Sequence, residues 1–129
     1  MVRFVYTNLL SRLFNSQSPS SGSFMNEPIG FVLLTPSTPA QTLRLVRRLG
    51  TMYGDPPIVC HHDFSQCPLS ICEFPANVCF VQPHVRTRWG DRSLLEATCR
   101  ALNLLYRSPR SPDWFVLLSG ADYPILPAE

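Results

Sequence analysis

Three short clusters carry residue types that can do chemistry. They are Cys60-His61-His62-Asp63 with Cys67 close behind, Arg86-Thr-Arg88-Trp89-Gly90-Asp91, and Ser119-Gly-Ala-Asp122-Tyr-Pro124. The first has the residue types of a metal site. Zinc, however, is held by paired ligands at short spacings absent here, and adjacent residues of a strand point to opposite faces. Asp63 suits a second job, as an ionised acceptor for a ribose hydroxyl or a uracil edge, and a third, as a turn former. In the second cluster, Arg86 and Arg88 have the planar fork that grips a diphosphate. Trp89 offers a face on which a base or sugar can stack, and Gly90 lets backbone come close to a ligand. The alternative is a surface loop whose tryptophan plugs the core. In the third, Asp122 stands just past an apolar run, in a turn freed by glycine and stiffened by proline, where an aspartate serves either structure or catalysis. A Gly-rich phosphate loop, a G-x-S-x-G elbow, an H-E-x-x-H helix and paired acid–base carboxylates are all absent from the sequence.

Regular elements must place these clusters. The run at 29–34 (IGFVLL) predicts a buried strand, as do 56–63, 77–83 and 114–119. A helix is expected from Thr38 as cap and Pro39 in its first turn to a stop at Gly50, with Leu43, Leu45, Val46 and Leu49 inward and Arg44, Arg47 and Arg48 solvated. A second helix at 93–107 has Ser93 and Glu96 spaced as a capping box and an apolar stripe of Leu94, Leu95, Thr98, Ala101, Leu102 and Leu105. Continuous apolar strands alternating with helices point to an α/β fold whose mainly parallel sheet is covered on both faces. Ligands of such sheets sit beyond the carboxyl ends of the strands. The residues there are Thr35–Ser37, His61–Asp63, His84–Asp91 and Ser119–Tyr123.

The 129 residues suffice for about one small domain, and the 45% hydrophobic content fits a globular protein. A net charge of +2, with arginine supplying all 11 basic residues, excludes an electrostatic case for nucleic acid. Five cysteines without a CxxC pair suggest a reducing compartment and mostly buried free thiols. No apolar run is long enough to span a bilayer. Residues 1–24, which end in a Ser-rich stretch, suggest a disordered extension or a mis-assigned start, with the organised domain at 25–129.

Taken in order, "FVLLTPSTPAQTLRLVRRL", "IVCHHD", "NVCFVQPHVRTRWGDRSLLEATCRALNLL" and "DWFVLLSGADYPI" resemble the N-terminal half of the core-2/I-branching acetylglucosaminyltransferase family, which includes peptide O-xylosyltransferases. The likeness covers about residues 29–125. It implies a Rossmann-like nucleotide-diphosphosugar (GT-A type) sheet, present in part. It also implies transfer of GlcNAc or xylose from a UDP-sugar to a glycan or protein hydroxyl, with inversion, without metal, and with no cofactor beyond the donor substrate. By the same likeness Thr35, Pro36 and Asp63 line the nucleotide, Trp89 and Gly90 lie beside the donor, and Asp122 lies near donor sugar and acceptor; Arg88 joins the nucleotide-sugar site on its own chemistry. The family often has histidine at 35 or 36, glycine at 91 and a basic residue at 126. Its catalytic base and diphosphate-binding residues are expected beyond Glu129, so the chain alone is expected to be poorly soluble and inactive. The alternative is a non-catalytic nucleotide- or sugar-binding α/β domain. Location is expected to be cytoplasmic or peripheral to a membrane in a bacterium, or at the Golgi membrane in a eukaryote.

Overall fold

A computed structural model describes residues 5–7, 28–35 and 37–125. Its elements are β1 (Val5–Thr7), β2 (Ile29–Thr35), α1 (Pro39–Tyr53), β3 (Ile58–His62), β4 (Val78–Phe80), α2 (Arg92–Arg107) and β5 (Trp114–Ser119). The five strands form one sheet in the order β1-β5-β2-β3-β4. β5, β2, β3 and β4 run parallel, and β1 lies antiparallel against β5. This is the expected α/β fold with a Rossmann-like sheet. The rest of the extension expected at 1–24 lies outside the described residues. Among the described residues, no helix is long and apolar enough to cross a membrane.

Strand alternation splits the core in two. Phe31, Leu33, Ile58 and Cys60 pack against Leu45, Val46 and Leu49 of α1. Val32, Val59 and Phe115 pack against Ala101 and Leu105 of α2. The two helices therefore cover opposite faces. From β2 the chain moves through α1 to β3 on one side, and it returns through α2 to β5 on the other. The strand order reverses between β2 and β5, where sheets of this kind open a crevice at the carboxyl ends.

Tertiary contacts shift the element ends. Thr38 does not cap α1: it takes a left-handed conformation, and its hydroxyl donates to Ser37 O at 2.7 Å. The helix runs through Gly50 and stops at a left-handed Gly54. The capping box at Ser93 and Glu96 does not form. Asp91 caps α2, accepting from Arg92 N at 2.7 Å. Ser93 Oγ instead receives Arg88 N at 3.1 Å, and Glu96 pairs with Arg100 at 2.7 Å. Leu95 is 66% exposed, and Ala97 takes its place in the buried stripe. The free thiols are also not mostly buried. Cys60 is buried, Cys67 is intermediate, and Cys72, Cys79 and Cys99 are exposed, since β4 is an edge strand and Cys99 lies on the outer face of α2.

Leu105 is fully buried on the α2 face. Leu105→Ala is expected to cost about 2–5 kcal/mol, read as a lower urea midpoint at unchanged slope.

Candidate functional site

The exits of β3 and β4 are joined by one buried carboxylate. Asp63 is 1% exposed. Its Oδ1 accepts from Ser65 N at 3.0 Å and Ser65 Oγ at 2.5 Å. Its Oδ2 accepts from Gln66 Nε2 at 2.8 Å, Thr87 N at 2.7 Å and Thr87 Oγ1 at 3.1 Å. His84 Nε2 stands 3.7 Å from Oδ1. Burial would raise the pKa of this group, but the donors from Ser65, Thr87 and Gln66 outweigh it and hold the carboxyl well below the usual carboxylate range. Asp63 thus combines a turn with a clamp on the loop 24 residues away.

The two histidines before it face opposite ways. His61 Nε2 accepts from Val85 N at 2.9 Å, which places the ring proton on Nδ1. Burial pushes His61 below its ordinary 6.5, against the pull of Asp63. His62 Nε2 donates to Cys67 O at 2.7 Å, since a carbonyl only accepts, and its Nδ1 meets Thr35 Oγ1 at 3.0 Å. Thr35 Oγ1 also lies 3.4 Å from Cys60 Sγ. Burial pushes the Cys60 thiol up to about 12, so it stays protonated and can donate to Thr35. Among the described residues, no group of three His, Cys, Asp or Glu side chains is placed to hold a metal ion.

The loop held by Asp63 presents Trp89 to solvent at 94% exposure, so it is not a core plug. Gly90 follows at φ 74°, a conformation that side chains rarely adopt. Arg88 is exposed, and its guanidinium has no partner among the described residues.

At the exit of β5, Gly120 N donates to Leu34 O at 2.9 Å and docks the turn on β2. A Cβ on Gly120 would stand 3.0 Å from Thr35 Cγ2, so a side chain here would push on Thr35 and crowd the meeting of the two exits. Asp122 Oδ2 accepts from Ser119 N at 2.7 Å. Its Oδ1 has no partner among the described residues. Arg44 of α1 lies over the Tyr123 ring, 5.4 Å from its centroid.

Thr35, Asp63, Arg88, Trp89, Gly90 and Asp122 therefore all fall at the carboxyl edge of the sheet. Thr35, 2% exposed, spends its hydroxyl inside the protein. Pro36 lies outside the described residues. Asp122 and Asp63 leave β5 and β3, which flank β2. Val85 and Thr87 fall within the expected strand-exit segment 84–91 without a role assigned to either, and Gln66 lies outside every such segment. An open depression of about 350 Å³ near Arg47, Thr51, Asp55 and Asn77 lies at the opposite edge, by the strand starts, and contains none of these groups.

The family model described as Core-2/I-Branching enzyme matches residues 61–128. That span starts in the His61–Asp63 clamp and takes in the Trp89 loop, α2, β5 and the Asp122 turn. No curated protein and no solved structure matches the chain.

Trp89→Ala is expected to leave stability within about 0.5 kcal/mol, while Asp63→Asn costs about 1–3 kcal/mol by facing an NH₂ toward donors. Chemical denaturation of both variants checks the contrast. His61 and Asp63 both have lowered folded-state pKa values, so the unfolded chain binds more protons in acid. Their contribution to stability is fully present above 6.5, the ordinary histidine value, and falls as pH drops below it. It falls again below 3.8, the ordinary aspartate value. Melting temperatures measured down this range should decline in both windows.

Proposed function

The chain belongs to the core-2/I-branching enzyme family, and from that premise we propose that its strand exits bind the nucleotide-sugar donor of an inverting glycosyl transfer. The family is one of glycosyltransferases, so the activity class is transfer of a sugar from a donor to an acceptor. The donor we propose is a UDP-sugar carrying GlcNAc or xylose, the acceptor is a glycan or protein hydroxyl, and the reaction uses no metal. The observation that carries this reading is the family match over the segment that builds the β3, β4 and β5 exits.

Each group has a role that its chemistry fits. Trp89 stacks on the base or sugar, with Gly90 beside it giving room for close approach. Arg88 offers a free guanidinium that contributes counter-charge to the diphosphate. Thr35 and Asp63, buried with their polar groups satisfied, support the nucleotide end from beneath rather than touching it. Asp122 turns its open Oδ1 toward donor sugar and acceptor. Inversion also needs a base to take the proton of the acceptor hydroxyl. Asp63, saturated with donors, is unsuited to that step. The location proposed with it is cytoplasmic or peripheral to a membrane in a bacterium, or at the Golgi membrane in a eukaryote.

Calorimetric titration with UDP tests the site. Binding that persists in EDTA, and that Trp89→Ala weakens about 2- to 10-fold, is the expected result. No binding of UDP overturns the reading. UDP binding without transfer from UDP-GlcNAc or UDP-xylose favours a non-catalytic nucleotide-binding domain instead.

A further inference from the structure

The loop that carries Trp89 is held by polar contacts rather than by burial. Arg86, Arg88, Trp89 and Gly90 are all exposed. Its inner residues alternate. Val85 N donates to His61 Nε2 at 2.9 Å, and Thr87 N donates to Asp63 Oδ2 at 2.7 Å. His61 and Asp63 are themselves two residues apart, so a two-residue spacing on the β3 exit matches a two-residue spacing on the loop. Gln66 Nε2 closes the clamp from the other side, on Thr87 O at 2.9 Å. Arg100 holds the start of the loop through Pro83 O at 3.2 Å.

We propose that His61 and Asp63 are positioning residues that act on a ligand through this loop, and that a proton on His61 opens the Val85 half of the clamp while the Thr87 half stays closed. A protonated Nε2 puts a hydrogen where the Val85 N–H needs a lone pair, so donor faces donor. An aspartate held by several donors keeps its charge through the same pH range. The groups that act on His61 are Asp63 and His62, its neighbours in the chain at the β3 exit, and His84 on the loop. Asp63 favours the charged ring, and the other two oppose it when charged. On α2, Arg92, Glu96 and Arg100 are exposed, and Glu96 pairs with Arg100. The proposal concerns how the loop is held, and it stands whether or not the ligand is a nucleotide-sugar.

Nuclear magnetic resonance on the ¹⁵N-labelled full chain tests it. At about pH 7.5 the Trp89 amide should be ordered, with an order parameter of about 0.85 despite its exposure. As pH falls, the exchange protection of Val85 should drop with the titration of the His61 ring, approaching about tenfold per pH unit, the slope of one linked proton. Thr87 should keep its protection over that range. His61→Gln, whose Oε1 accepts but does not titrate, should keep Val85 protection flat. The proposal is overturned by a Trp89 order parameter below about 0.6 at the higher pH. It is equally overturned if Val85 protection does not follow the His61 ring, if His61→Gln shows the same loss, or if Val85 and Thr87 lose protection together. Should His61→Gln fail to fold, the comparison of the His61 ring with Val85 in the unmodified chain decides.

Discussion

A carboxylate withdrawn from water must recover its solvation from the protein, and this demand organises the functional edge of the molecule. Asp63 meets it with donors from two places. Ser65 and Gln66 lie just ahead in the chain and make a turn that any exposed aspartate could make. Thr87 lies far off in sequence, on a loop with little apolar surface to bury. The charge thus converts a local turn into a long-range constraint. Because removing one partner of a buried ion costs more than the pair itself contributes, the constraint is strict. Thr87 supplies two of the hydrogen bonds on Asp63 Oδ2, and this fixes the inner part of the Trp89 loop against the β3 exit.

The sheet supplies the frame for that clamp. β2, at the centre, is buried on both faces, and its neighbours deliver their exits to either side of Thr35. Close approach is a property of the whole edge. Gly120 lies against Thr35, whose hydroxyl is turned inward to His62 and Cys60. The polar groups here fall into two kinds. Thr35, His61, His62 and Asp63 are buried and satisfied within the protein. Arg88, Trp89 and one oxygen of Asp122 face outward and remain available to a ligand.

Much of this was legible in the sequence. Continuous apolar runs flanked by proline and polar residues placed four strands and two helices, and the strand-exit rule located the edge where the polar clusters gather. Element ends were less legible, because a cap is a competition among acceptors. Ser93 looks like a cap until Arg88 N claims its hydroxyl, and Asp91 then takes the position. The role of Asp63 was half visible: Ser65 and Gln66 lie within a few residues of it, whereas Thr87 lies beyond the reach of local pattern. Trp89 was ambiguous because an indole fits a core and a ligand face equally well. Only the three-dimensional path of the loop separates the two. The thiols misled for a related reason, since an apolar neighbourhood in sequence does not reveal an edge strand or an outer helix face.

The chain's two tryptophans occupy opposite environments. Trp114 starts β5, half-buried in the sheet, and Trp89 stands almost wholly in water at the exits. An indole in water emits at longer wavelength than one in a packed interior. The protein therefore carries two intrinsic optical labels, one reporting on the integrity of the sheet and the other on occupancy of the surface beside it. A molecule that settles over the loop changes the long-wavelength component and leaves the short-wavelength one untouched, so binding and unfolding have separable colours.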